Sequence, residues 1–474
     1  MRPAAGIVLA TLIGGACPVP AHAINWSIST VDGAPNSGWD TTLRLDSVGN
    51  PRVAYWTPGT GIRIATLTGS GWTYETFPGP DVPASSPPEL KVPFSPEAAP
   101  ARTELLITDV LDMAIDPVDQ PWIAHARINC FTGCTGMLRL SHRVGTTWFT
   151  EDVEPVNSRP SIEVGSDGRV HLCYGSSSGS LKHATRDTAG QWTSEVIGTS
   201  SGGVMRLDAA NEPHVVWLGV APYCLWYSYR VNGLWQATAI DSGGNYTLPS
   251  LTLAPSGEAR IAFGVHSWPR AGLWYAEQNG TSWEKSLVSG GINAATSPSI
   301  AVDPAGDPII PYNDQTDLDL LCASRKHGIW TIDTVDAQGN TGYWPSIVVN
   351  AAGRPLVAYN ADASLGTRMA AGTEVLAAEP IRAPVAFALR LFGPNPSVDD
   401  RSLRFALDSP APTEVSLEVF DVGGRTAASR ARWPVGAGTT TIQWEAGLTH
   451  PGVYFVRAFA ATGSSAVVRV AVIH

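Results

Sequence analysis

Residues 298–336 read PSIAVDPAGDPIIPYNDQTDLDLLCASRKHGIWTIDTVD, and much of the chain is built from copies of this stretch. It opens with a short alternating run, Ser299-Ile300-Ala301-Val302, ended by the turn Pro304-Ala305-Gly306. A second run carries Tyr312, a third surrounds Cys322, and a fourth begins at Trp330 just after Gly328. Alternation of period two, punctuated by Gly and Pro, marks short strands joined by tight turns. Close relatives begin at Pro160 (PSIEVGSDGRVHLCYG), Pro249 (PSLTLAPSGEARIAFG) and Pro345 (PSIVVNAAGRPLVAYN). Looser ones begin at Leu43 (LRLDSVGNPRVAYW), Met113 (MAIDPVDQPWIAHA) and Met205 (MRLDAANEPHVVWL). Aligned on Asp46, Asp116, Gly165, Asp208, Ala254, Asp303 and Asn350, the copies are spaced by 70, 49, 43, 46, 49 and 47 residues. The long step holds a Pro-rich insertion, roughly residues 78–108.

Tandem four-stranded units of this length predict a seven-bladed β-propeller over residues 24–378. Every second strand carries a large ring at one place: Tyr55, His125, Tyr174, Trp217, Phe263, Tyr312 and Tyr359. Six fourth strands start at Trp72, Trp148, Trp192, Trp235, Trp283 and Trp330. Recurrence in nearly every copy points to packing between blades, so ligand chemistry is expected where the copies differ. The seventh copy has no Trp strand of its own. INWSISTVD at 24–32 matches GIWTIDTVD at 328–336, with Trp26 in the Trp position. The N-terminal strand is therefore expected to complete the last blade, closing the ring and leaving no open edge.

The 47 Gly and 37 Pro are spread along the chain, which argues against a helical protein. With 31 Lys+Arg against 42 Asp+Glu and no basic run, the net charge of −11 excludes nucleic-acid binding. The apolar stretch 6–16 is too short to span a bilayer, follows Arg2, and leads to Ala21-His22-Ala23. Residues 1–23 read as a secretory signal, after which the chain carries −12 and no transmembrane segment. Export implies an oxidising space, so Cys130 and Cys134 are expected to pair, with Cys173, Cys224 and Cys322 buried as thiols. No zinc spacing occurs and no cofactor is expected.

Beyond Ala378 a Pro-containing connector, 379–392, leads to alternating strand runs that predict a small Ig-like β-sandwich over 393–474. The ordered runs GPNPS, VSLEVFDVGGR, GTTTIQWE and HPGVYFVRA resemble the C-terminal sorting domain of type IX secretion cargo. They are also similar to the Ig-like fold of flagellar hook-capping proteins. The resemblance covers the last 82 residues and implies export across an outer membrane, with the type IX secretion machinery as partner. Ser397 stands where an aromatic is common, and Arg469 is the one basic residue of the final strand. Residues 24–378 resemble secreted bacterial propellers with sialidase-type, Asp-box-like repeats. They keep only the Gly-x-Trp end of that box, as in Gly233-Leu234-Trp235; Asp187-Thr188-Ala189-Gly190-Gln191-Trp192 comes nearest. No Arg-Ile-Pro motif is present, so sialidase chemistry does not follow from the resemblance.

In such a blade the loop between second and third strands shares a face with the connection between blades. That face carries Trp56, His266, Trp268, Arg270, Tyr343 and Trp344, which are expected to bind an extracellular carbohydrate or surface protein. Asp314, Asp317 and Asp319 offer oxygen ligands for a metal but lack the Gly and terminal Glu of an EF-type loop. There is no G-x-S-x-G and no phosphate-cradling loop. A glycosidase or polysaccharide lyase is the alternative, and the residues lean towards binding.

Overall fold

The computed structural model describes residues 22–57, 60–77, 107–129, 134–200, 202–220, 223–267, 270–290, 294–362, 364–376, 387–391, 403–410, 413–435, 438–444, 448, 450–460, 463 and 465–472. All regular structure among them is β, with no helix long and apolar enough to cross a membrane. The chain divides into two compact units, Met1–Ala377 and Ala378–His474. Residues 1–21, the Pro-rich stretch 78–106 and most of 379–392 lie outside the described residues, and with them most of the expected signal.

Seven antiparallel sheets follow one another in the first unit. We number them 1 to 7 by the residues they span: 39–77, 107–156, 161–199, 203–242, 250–290, 294–336, and 343–376 together with 22–32. Each meanders outward from its first strand. In sheet 6 the first position is shared by Ala294–Thr296 and Ala301–Val302, both paired with Pro308–Asp314. The first strands of successive sheets pack against one another, and Tyr343–Val349 of sheet 7 packs against Trp39–Leu45 of sheet 1.

The repeat's turn explains its spelling. In all seven copies the backbone N–H of the aligned residue bonds the carbonyl four residues on. The fourth residue of the turn has a left-handed backbone: Gly49, Asp119, Gly168, Asn211, Gly257, Gly306 and Gly353, with φ between 62° and 97°. Only Gly, Asn and Asp occur there, the residues that tolerate this conformation at least cost. Asp46, Asp116, Asp208, Asp303 and Asn350 also accept two backbone N–H groups of their own turn, from the second and fourth residues onward. Side-chain capping of this kind is why Asp dominates the position.

The Pro-Ser pairs that begin the clearest copies act as latches. Ser161 Oγ accepts Met205 N–H of the next sheet (3.1 Å), and Ser250 Oγ accepts Ile300 N–H (3.2 Å). Ser299 Oγ accepts Ile347 N–H, and Ser346 Oγ accepts Leu43 N–H (2.9 Å), joining sheet 7 to sheet 1. Each such bond satisfies a donor on a short strand and is worth about 1 kcal/mol.

The N-terminal strand His22–Asp32 pairs antiparallel with Thr367–Leu376, so sheet 7 runs in the order 343–349, 355–360, 367–376, 22–32. Trp26 lies opposite Gly372, and a Cβ at Gly372 would fall 2.7 Å from Ile24 and 3.1 Å from the Trp26 ring. The match between INWSISTVD and GIWTIDTVD has a physical basis at its last residue. Asp32 accepts Tyr55 Oη (2.8 Å) and Arg63 Nη1 (2.6 Å) of sheet 1. Asp336 accepts Tyr359 Oη (2.7 Å) and Arg368 Nη1 (2.9 Å) of sheet 7. The two strands deliver one carboxylate clamp to the sheet that follows.

The recurrent rings are buried as packing groups. Tyr55, Tyr174, Tyr312, Tyr359 and Phe263 are enclosed, with Trp217 and His125 nearly so. The fourth-strand tryptophans are half-buried and pack on the apolar clusters between sheets. Cys173, Cys224 and Cys322 are buried free thiols. Cys134 is disulfide-bonded, while its expected partner Cys130 lies outside the described residues.

In the second unit, Ala388–Leu391, Leu403–Ser409 and Gly438–Trp444 form one sheet. Thr413–Asp421, Thr426–Val435, Gly452–Ala460 and Ser465–Val472 form another. Leu389, Phe405 and Leu407 of the first share a core with Val415, Leu417, Val456 and Val470 of the second.

Candidate functional site

Two features at the start of the first strands break the repeat, and they adjoin. The first is aromatic. Trp39 opens sheet 1 opposite Trp56 on the neighbouring strand, and its ring lies 5.1 Å from that of Trp344 at the start of sheet 7. Tyr343 stands 5.9 Å from Trp344 on the other side. All four rings are half-buried, so each keeps an accessible part. Thr41 Oγ1 donates to the Trp344 carbonyl (2.9 Å), pinning the junction of the two sheets. Trp344 has φ 45°, in the left-handed region. Asp40 and Ser297 stand at the same place, two residues before the latch, with φ 52° and 51°, so this backbone belongs to the repeat and Trp344 is the bulky residue that sheet 7 carries there.

The second feature is charged. Asp40, next to Trp39, has φ 52° and a carboxyl only 6% exposed. Its Oδ2 accepts Leu111 N–H of sheet 2, and its Oδ1 lies 2.9 Å from Arg159 Nε, which donates to Leu111 O. Asp40 and Arg159 thus meet over the first strand of sheet 2. Burial pushes the Asp40 carboxyl up to about 6, against the opposing pull of Arg159 and the Leu111 N–H and with help from the nearby Asp112 charge.

Asp112 occupies the latch position that is Ser in sheets 3, 5, 6 and 7. Like those serines it accepts the next sheet's N–H, here Ile162 at 3.1 Å. It also accepts Thr42 Oγ1 (2.9 Å) and Arg44 Nη2 (3.2 Å). Burial opposes its charge, yet Arg44, Arg159 and Arg206 with the Ile162 N–H hold its carboxyl below the ordinary range. Two residues beyond the latch, Arg44 and Arg206 both reach Glu163, at 3.8 and 3.0 Å. The corresponding positions in sheets 5, 6 and 7 are Thr252, Ala301 and Val348. Charge therefore gathers on one side of the ring of first strands, and its arginines are already paired with carboxylates.

The expected site residues divide accordingly. Trp56, Tyr343 and Trp344 belong to the aromatic junction, which Trp39 completes. Trp39 and Asp40 escaped the sequence reading because they precede the recognisable start of their copy. Asp112 was legible as a departure from Ser at the latch position. His266 and Arg270 stand in sheet 5. Arg270 is committed to Asp241, bonds the Ser242 carbonyl, and stacks over Trp274 at 5.3 Å. Lys285 shares Asp241 at 2.7 Å, so this group is an internal brace. Trp268 lies outside the described residues. Among the described residues, Asp314, Asp317 and Asp319 do not gather into a group of the kind that could hold an ion. Asp314 instead caps its own turn through Thr316 N–H, and burial and the neighbouring carboxylates raise the Asp319 pKa.

No protein-family model matches the chain, and no curated protein matches it. Among solved structures, the SapL1 lectin in complex with alpha methyl fucoside aligns at 12% identity over 64% of this chain and 98% of that one, with a TM-score of 0.42. The Penicillium chrysogenum alpha-L-arabinanase complexed with arabinobiose aligns at 10% identity over 75% and 99%, TM-score 0.44. PorZ, a surface component of the type IX secretion system of Porphyromonas gingivalis, aligns at 12% identity over 89% of this chain and 64% of its own, TM-score 0.36. The likeness is one of repeated all-β architecture, and the function rests on the site itself.

Proposed function

We propose that residues 24–378 form a seven-bladed propeller closed by its N-terminal strand, and that its loop face binds an extracellular carbohydrate. The binding residues are Trp39, Trp56, Tyr343 and Trp344. The observation that carries this reading is the Trp39–Trp344 pair, 5.1 Å between rings, at a place where the copies differ. Half-exposed aromatic faces give a pyranose or furanose ring apolar area to stack on at little entropy cost, since each ring has only two side-chain torsions. The recurrent packing positions of the repeat are filled by other rings; Trp56 also packs on the cluster between sheets 1 and 2, while Trp39, Tyr343 and Trp344 lie outside the buried clusters. Residues 1–23 act as the secretory signal and 393–474 as an Ig-like sorting module engaging the type IX secretion machinery, placing the propeller outside the cell. Cys130 and Cys134 form the local disulfide.

The test is retention on a glycan array of the parent and of Trp39→Ala/Trp344→Ala, with melting temperatures measured beside it. Loss of retention at an unchanged melting temperature supports the reading, and equal retention overturns it. Release of reducing sugar or unsaturated product by the purified parent would establish the glycosidase or lyase alternative. Truncation near residue 378 should leave a folded propeller that a type IX host fails to export, whereas normal surface delivery would remove the sorting role.

A further inference from the structure

We infer that Asp40 is a positioning residue for the aromatic junction: its ionised carboxylate, fastened to Arg159 and to the Leu111 N–H, holds Trp39 in the arrangement that meets Trp344. The inference rests on the reading of Trp39 and Trp344 as the binding plate and adds a proton-dependent control to it. Four observations support it. Asp40 is bonded directly to Trp39 along the chain, so whatever fixes one backbone fixes the other. Both Asp40 and Trp344 adopt left-handed backbones, φ 52° and 45°, on the two sheets whose rings touch. The Asp40 carboxyl, 6% exposed, is too enclosed to touch a ligand itself and acts only through neighbours. Its restraint spans three sheets, because Leu111 belongs to sheet 2 and Arg159 immediately precedes sheet 3.

The charged groups facing Asp40 are Arg159, which favours its ionised form, and Asp112, which opposes it. Burial leaves the balance near the middle of the physiological range, with the proton taken up at about 6. An Asp raised above its unfolded value of 3.8 makes the folded protein less stable at neutral pH; that cost shrinks as pH falls below about 6 and is gone below 3.8. Asp40 thus holds a charge where a neutral group would be more stable, a trade expected of a functional position. Once Asp40 is protonated, Arg159 loses its ion partner and the restraint on Trp39 loosens.

The test uses the full chain labelled with 5-fluorotryptophan, with the fluorine resonances of Trp39 and Trp344 assigned through Trp39→Phe and Trp344→Phe. Both resonances should shift together as pH falls, with a midpoint at about 6. Asp40→Asn should abolish that titration and leave the melting temperature at neutral pH unchanged or raised. Arg159→Gln, a second variant, should move the midpoint upward. Resonances that stay flat with pH, an unaltered titration in Asp40→Asn, or a melting temperature lowered by several degrees in that variant would overturn the positioning role. No ligand enters the measurement, so the outcome stands apart from that of the glycan array.

Discussion

Sheets 5, 6 and 7 and sheets 1 to 4 solve the same packing problem with different chemistry at their first strands. In the former, Ser250, Ser299 and Ser346 occupy the latch position, followed two residues later by Thr252, Ala301 and Val348. The latch is a neutral hydroxyl accepting one N–H, and nothing beside it demands a partner. In the latter, the latch residues are Thr42, Asp112, Ser161 and Val204, followed two residues later by Arg44, Ala114, Glu163 and Arg206. Asp112 does the work of a serine hydroxyl, but its charge requires the arginines around it. A ring held together by neutral latches alone would be simpler to stabilise. Buried charge on the first strands of sheets 1 to 4 adjoins the Trp39–Trp344 contact, whereas the first strands of sheets 5 to 7 carry no charged residue.

The largest effect should come from breaking the ring at the place both halves depend on. Deleting residues 22–32 removes the outer strand of sheet 7 together with Asp32, the acceptor for Tyr55 and Arg63. A loss of tens of degrees in melting temperature, or failure to fold, is expected in calorimetry. A deletion variant as stable as the parent would show that closure contributes nothing.

Next in size is Asp112→Ser, which gives sheet 2 the latch of sheets 5 to 7 while taking from Arg44 its nearer carboxylate and leaving it Glu163 at 3.8 Å. Removing one partner of a buried ion pair should cost on the order of 3 kcal/mol in denaturant unfolding. Asp112→Ser with Arg44→Met should recover much of that loss. If the single change is neutral, the charged side is no different in kind from the serine side.

Acid should discriminate the halves as well. His171 Nδ1 lies 3.1 Å from His183 Nε2, and His183 Nδ1 lies 3.1 Å from Glu195. Burial, aided by the neighbouring His183, holds His171 down to about 4, and burial also lowers His183. The unfolded chain takes up these protons below about 6.5 while the folded chain resists. Their contribution is therefore complete above that pH and declines towards pH 4, by up to about 3 kcal/mol for His171. Asp40 works in the opposite sense across part of the same interval, so the profile should be measured in Asp40→Asn as well. His171→Gln should flatten the decline, and an unchanged profile would assign it elsewhere.

The smallest effect belongs to the neutral side. Ser250→Ala leaves Ile300 N–H without its acceptor and should cost about 1 kcal/mol. A cost as large as that of Asp112→Ser would erase the contrast.

The repeat, its strand order and the N-terminal strand's place in sheet 7 were legible because each leaves a periodic mark: the Gly or Asn of the turn, the buried ring, the TVD ending. The site was only half legible. Trp56, Tyr343 and Trp344 could be placed on one face because the loop between second and third strands and the connection between sheets lie at the same end of each sheet. Trp39 and Asp40 could not, since they precede Leu43, where the recognisable part of the first copy begins. Arg270 misled for the opposite reason: an Arg beside His and Trp reads as a binding group until Asp241 is found opposite it in space, 29 residues away in the chain.

The central claim is that the ring's added chemistry serves a ligand at the Trp39–Trp344 junction. The most direct measurement is calorimetric titration of the parent and of Trp39→Ala/Trp344→Ala with the strongest glycan from the array. The parent should bind and the double variant should not, with melting temperatures that agree. Equal affinity in the two proteins would contradict it.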